Sequence, residues 1–165
     1  MISDTITEIE NWYREPGVSN DRSLLLSKLA IIEFCGWLEE WMDDVIREID
    51  KLGLKDASWT KKELIESTYG FHYDKHFRPM LCGLFGEHKL RKIESDFEEA
   101  NPGELSHLKS NLGSLWVERC KLAHSDLSTQ KAAQVTINAP SWTKNQYRVM
   151  IKRLELFKNF LVSSI

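Results

Sequence analysis

The sequence predicts an all-α fold, a bundle of five or six helices. Three observations lead there. Apolar residues recur at spacings of three and four through most of the chain, which is the period of a helix with one buried face. Residues that start and stop helices punctuate those stretches. Strand patterning is scarce, with no strand-helix-strand rhythm and no internal repeat.

Residues 3 to 14 read as a short amphipathic helix ended by Pro16-Gly17. Asn20 or Asp21 then caps a long helix running to about Leu52, where Gly53 stops it. Ile31, Cys35, Leu38, Met42, Val45, Ile49 and Leu52 form its stripe, and Leu25, Leu29, Ile32, Trp37 and Trp41 widen the apolar surface beside it. Thr60-Lys-Lys-Glu63 has the form of a capping box and predicts a helix start at that threonine. A break is expected near Gly70, and residues 70 to 86, with glycines and prolines among aromatics, read as the least regular part of the chain. Residues 87 to 99 read as a charged helix. Asn101-Pro-Gly-Glu104 predicts the next start, with Asn101 as cap and Pro102 at the first helical position. Leu105, Leu108, Leu112, Leu115, Trp116, Leu122 and Ala123 give that helix its buried face. Residues 127 to 140, with AQVTI and Pro140, read as a partly extended connection. Thr143 with Gln146 then caps a last helix to about Val162, apolar at Val149, Met150, Leu154, Phe157 and Leu161.

A chain of 165 residues suits one domain over residues 1–165, long enough to bury a core without metals or disulfides. Cys35, Cys82 and Cys120 are scattered and odd in number, fitting a reducing, cytoplasmic setting better than a secreted scaffold. The N-terminus does not resemble a signal peptide. The most apolar segment, LAIIEFCGWL, contains Glu33 and is too short to cross a bilayer. No membrane association is expected.

Net charge is -3, yet its distribution is uneven: residues 1–118 hold 14 Lys and Arg against 23 Asp and Glu, and residues 119–165 hold 8 against 2. Such asymmetry points to an anionic partner, or to a solvated basic face on the last helix.

The switch falls in WVERCKLAHSDL, residues 116 to 127, where Arg119 and His124 are five positions apart. On an ideal helix they lie about 140° apart in azimuth and roughly 7.5 Å apart along the axis. They share no face. Both can reach one phosphate if the helix frays at His124, or if a second copy brings its own pair across a twofold axis. This combination suits cleavage of RNA. A neutral imidazole takes the proton from a ribose 2′-hydroxyl, and a guanidinium holds the extra negative charge of the phosphorane. The chemistry requires no metal and no cofactor.

The R-x4-H arrangement in RCKLAH, late in an all-α chain, resembles the HEPN superfamily of helical domains. That superfamily includes many metal-independent endoribonucleases of toxin-antitoxin and antiviral systems. LLLSKLAIIEFCGWLEEW, with a glutamate inside an early long helix, is similar to the first core helix of several members, particularly the RiboL-PSP HEPN branch. In layout the likeness covers roughly residues 20 to 127, and it is sharp over those two stretches. It implies a homodimer whose composite site holds the arginine and histidine of both copies, with Arg119 stabilising the phosphate and His124 acting as base or acid. It also implies an antitoxin or defence-system partner protein. Cys120 stands where members often carry asparagine. Asp126 stands where toxins silenced by AMP transfer carry tyrosine, which disfavours that form of control.

Two further residues are read as supporting the pair. Glu33 interrupts an apolar run, where a buried carboxylate demands a partner; it either orients Arg119 or His124 or lies on a wetter side of its helix. Asp126 either holds the imidazole or, like Ser125, closes the helix. Lys121, Lys131, Arg148 and Lys152 are the candidate RNA contacts, with Lys144 and Arg153 as further cations that could meet phosphates. Trp142, read as part of a polar loop, is a candidate for base stacking. His72 and His76 have the spacing of a metal-gripping pair, but HYDKH lacks the glutamate of zinc proteases; no metal site is assigned. Tyr69, Phe71, Tyr73 and Phe77 around them read as core or dimer contacts. The sequence therefore supports a metal-independent RNase acting on single-stranded RNA to leave 2′,3′-cyclic phosphate ends. The alternative is a catalytically silent helical module that binds RNA, a nucleotide or a protein, and Cys120 and the overall acidity favour it.

Overall fold

The computed structural model describes residues 1–123 and 137–165. The fold is all-α, as expected. Among the described residues there are seven α-helices and two π-helical segments, more than the five or six helices predicted, and no strand. In order these are α1 (Ile2–Tyr13), α2 (Asn20–Asp50), α3 (Ala57–Trp59), the π-helical Thr60–Ile65 and Tyr73–Phe77, α4 (Arg78–Phe85), α5 (Glu87–Ala100), α6 (Glu104–Ala123) and α7 (Pro140–Ser163).

The chain divides into two compact units, Met1–Trp37 with Leu115–Val149, and Leu38–Ser114 with Met150–Ile165. In the first, Ile9, Leu26 and Ala30 form a buried cluster with Tyr13 packed against it. Phe34, Trp37 and Tyr147 meet nearby, Tyr147 presenting its edge to Trp37 at 5.5 Å between ring centres. In the second, Phe157 lies at the centre of an aromatic core. Phe97 meets it edge-on at 5.0 Å, and Tyr73 and Phe77 approach at 5.9 and 6.5 Å, geometries that the ring quadrupoles favour.

The apolar stripe on α2 is buried as expected from Ile31 to Ile49, but Leu52 lies beyond the helix and is exposed. Leu25 and Leu29 are exposed too. The cap is Ser19, whose hydroxyl accepts the Arg22 amide at 3.3 Å, one residue before the predicted candidates.

Both predicted capping boxes are overturned, each by a stronger start upstream. Asp56 accepts the amides of Ser58 and Trp59 at 3.1 and 3.0 Å, so the helical run begins at Ala57 and Thr60 lies inside it. Pro140 opens α7, where a missing amide proton costs nothing because the first turn has no acceptor for it. Thr143 is consequently internal and fully buried. Asn101, predicted to start α6, instead closes α5 by donating from its side chain to the Phe97 carbonyl at 3.2 Å. Gly103 follows at φ +83°, and α6 starts at Glu104.

Residues 70 to 86 are far more regular than predicted. They hold the second π-helical segment and all of α4, because Pro79 sits in the first turn of α4 rather than in its interior. Phe71, Tyr73 and Phe77 are buried core residues, whereas Tyr69 is 81% exposed. Of the predicted connection, residues 127 to 136 lie outside the described residues.

Tyr73 brings a hydroxyl into this core. It donates to Glu94 of α5 at 2.7 Å, and Glu94 in turn accepts from Arg78 of α4 at 3.0 Å and pairs with Lys109 of α6 at 3.7 Å. Tyr73→Phe should cost about 1 kcal/mol, the worth of one hydrogen bond. Glu94→Ala should cost about 3 kcal/mol, since it strands a buried hydroxyl and removes the largely buried carboxylate that Arg78 and Lys109 share. Urea denaturation of the two variants checks the order, and equal losses would contradict it.

Candidate functional site

Arg119 lies in the last turn and a half of α6, four residues before its described end at Ala123. The helix reaches that point because Leu108, Leu112, Leu115 and Leu122 bury one face at helical spacing. Arg119 is half-buried, and its guanidinium lies over the ring of Trp116, one turn back, at 5.4 Å. Stacking of this kind holds a guanidinium by its face, apart from the N–H donors that lie in its plane. Cys120 beside it is half-buried and carries a free thiol. Lys121 is exposed and pairs with Glu118 at 2.9 Å.

His124, Asp126 and Lys131 lie outside the described residues, as does Ser125, so of the predicted pair only Arg119 has a described position. Glu33 is exposed on α2. Of the two readings the sequence left open for this residue, its exposure matches the wetter side of the helix, where water can satisfy the carboxylate.

The predicted phosphate contacts divide into two groups. Arg148 and Lys152 are exposed, one turn apart on α7. Lys144 and Arg153 are held internally instead: Lys144 pairs with Glu10 of α1 at 2.9 Å and Arg153 with Glu104 of α6 at 2.8 Å. Trp142 stands in the first turn of α7 and is half-buried, not in a loop as predicted.

Of the two histidines of HYDKH, the side chain of His76 meets the backbone, whereas Nδ1 of His72 is buried without a hydrogen-bond partner among the described residues. The His72 amide donates to His76 Nδ1 at 3.1 Å, so that nitrogen serves as an acceptor at the start of the π-helical turn. No group of three or more His, Cys, Asp or Glu side chains able to hold a metal occurs among the described residues. No helix among them is long and apolar enough to cross a membrane.

Sequence reasoning passed over Asp50 and read Thr60 only as a helix cap; both are buried beside a cavity. Asp50 carried a legible signal. It follows Met42 and Ile46 at intervals of four, so an acidic side chain falls on the buried face of α2.

Compared with protein-family models, with curated proteins and with solved structures, the chain matches none.

Glu10 shows how this chain keeps a buried charge. The hydrogen bond from Lys144 holds its carboxyl below the usual range, burial opposes this, and the charges of Lys144 and Arg14 add to the lowering. A depressed carboxylate contributes stability above its unfolded-state value, which is lost as the pH falls through the folded-state value. Lys144→Ala should therefore be destabilised at pH 7, and its deficit against the wild type should shrink in acid as Glu10 protonates. Urea midpoints at neutral and acidic pH test this, and a deficit independent of pH would refute it.

Proposed function

We propose that the protein is a metal-independent endoribonuclease of the HEPN type, acting as a homodimer on single-stranded RNA in a toxin-antitoxin or antiviral system. The observation carrying this reading is the R-x4-H spacing in the sequence, with Arg119 half-buried near the described end of α6 and stacked on Trp116. His124 takes the proton from a ribose 2′-hydroxyl, whose oxygen then attacks the adjacent phosphorus. Arg119 neutralises the charge that accumulates on the phosphorane, and the histidine of the second copy protonates the departing 5′-oxygen. The products are a 2′,3′-cyclic phosphate and a 5′-hydroxyl. Lys121, Lys131, Arg148 and Lys152 hold flanking phosphates, and an antitoxin or other partner protein restrains the enzyme in the cytoplasm.

A second reading, a catalytically silent module that binds RNA, a nucleotide or a protein, is favoured by Cys120 beside the arginine and by the net charge of -3. Incubation of single-stranded RNA with the wild type, Arg119→Ala and His124→Ala, with and without EDTA, separates the two. Cleavage that survives EDTA, leaves cyclic phosphate ends and falls at least about 100-fold in either variant is the expected result. Salt-sensitive binding without turnover selects the silent module, and equal cleavage by all three proteins removes both residues from the reaction.

A further inference from the structure

α2 is one continuous helix from Asn20 to Asp50, and part of its apolar surface lies open. Leu25 is 56% exposed and Leu29 37%; Ile32 is half-buried and Gly36 exposed. At about 100° per residue these four fall within an arc of about 60°, so they form a single apolar strip. Gly36 is its telling member. A glycine inside a helix costs about 1 kcal/mol against alanine, and a Cβ added there would meet nothing within 4 Å. No close neighbour among the described residues requires a glycine at this position, and its missing side chain leaves a shallow hole in the strip.

Charge determines what fits the strip. Arg22 lies about 60° to one side of Leu25 and Lys28 about 60° to the other. One to three turns further along α2, Glu40 follows on the Arg22 edge and Glu39 on the Lys28 edge. Each edge thus runs from cation to carboxylate in the same direction. When two copies of a helix pack antiparallel across a twofold axis, like edges meet with their directions reversed. Every cation then faces a carboxylate, whereas a parallel pairing would set cation beside cation. With the axis at Ile32, Leu29 of one copy lies about 1.5 Å along the helix from Gly36 of the other and fills its hole. Arg22 and Glu40 are then offset by about 3 Å, and Lys28 and Glu39 by about 4.5 Å, which long side chains span. Arg22 also meets Glu15 within its own protomer at 3.3 Å, an exposed pair that contributes little and exchanges readily. Glu33 stands exposed at the rim, about 80° from Leu25, where solvent screens it from its symmetry mate.

We infer that this face of α2 is the contact surface between two copies of the chain, packed antiparallel with Leu29 of each seated over Gly36 of the other. The inference rests on the proposed homodimeric nuclease for the role of the pair, while the surface itself is argued from α2 alone.

Sedimentation of the full chain across a concentration series tests the surface, and the wild type is expected to be a dimer. Leu29→Glu and Gly36→Leu alter positions at the surface of the protomer, so melting temperatures should hold, and each should weaken dimerisation at least about tenfold. Arg22→Glu should weaken it too, and adding Glu40→Arg should restore it, because the pair is then reversed and not lost. Ile32→Cys, at the axis, should cross-link under mild oxidation above the wild-type background, whereas Leu25→Cys, roughly 20 Å from its mate, should not. A monomer at every concentration, or a dimer unweakened by both Leu29→Glu and Gly36→Leu, would overturn the assignment. Cross-linking through Leu25→Cys equal to that through Ile32→Cys would overturn the antiparallel arrangement. A dimer that these substitutions dissociate and that cleaves no RNA supports the surface and counts against the nuclease reading alone.

Discussion

A single phenolic hydroxyl organises the second unit. Tyr73 is fully buried against Phe77 and Phe157, and its oxygen needs a partner at that depth. Glu94 provides one, but a carboxylate that is itself largely buried then needs countercharge. Arg78 and Lys109 supply it, Lys109 also lying over the Tyr73 ring at 4.7 Å. One polar atom thus recruits side chains from α4, α5 and α6. Burial first, then the neighbouring Glu94, pushes the Tyr73 hydroxyl far above its ordinary range, so it remains a donor at any physiological pH.

The same network sets the chemistry of its edge. Arg78 reaches beyond Glu94 to Glu87 at 3.1 Å, and its hydrogen bonds, with those from Cys82 and Arg91, lower the Glu87 carboxyl to about 2. Burial, followed by the hydrogen bond to Glu87, raises the Cys82 thiol to about 11. A thiol so raised is a weak nucleophile, and Cys82 belongs to the packing of this region. Asp43 on α2 has no comparable network: burial raises its carboxyl to about 6, with Arg47 opposing and Asp44, Glu39 and Glu40 adding to the rise. Against this background of recruited partners, the buried oxygens of Asp50, Thr60 and Thr143 and Nδ1 of His72 have no hydrogen-bond partner among the described residues.

The sequence was legible wherever a long apolar row settled the matter. The stripe from Ile31 to Ile49 and the leucines of α6 needed no tertiary information, because one face at a period near 3.6 has only one way to be buried. Helix starts were less legible, because local motifs compete. Thr60 with Glu63 and Thr143 with Gln146 both satisfy the capping pattern, yet Asp56 and Pro140 act earlier and leave those hydroxyls inside a helix. Pro79 misled for a related reason: whether proline breaks or begins a helix depends on a register that the residues around it do not reveal. At the site, the helix carrying Arg119 was legible. Glu33 was not, since an acid among apolar neighbours has the same local pattern on a buried face as on an exposed one. Close approaches were invisible too. A Cβ on Gly83 would lie 2.5 Å from a Leu64 methyl, a contact that only the folded chain creates.

The uneven charge of the sequence takes on a different meaning once the chain is folded. Its basic last third pairs back onto the acidic remainder: Lys144 with Glu10, Arg153 with Glu104, and Lys158 with Glu48 at 3.1 Å. Lys121 is met locally by Glu118. An excess that looks from the sequence like a surface prepared for an anion is therefore partly internal countercharge, placed where α7 packs on earlier helices. What stays available on α7 is narrower, namely Arg148 and Lys152 on its exposed side.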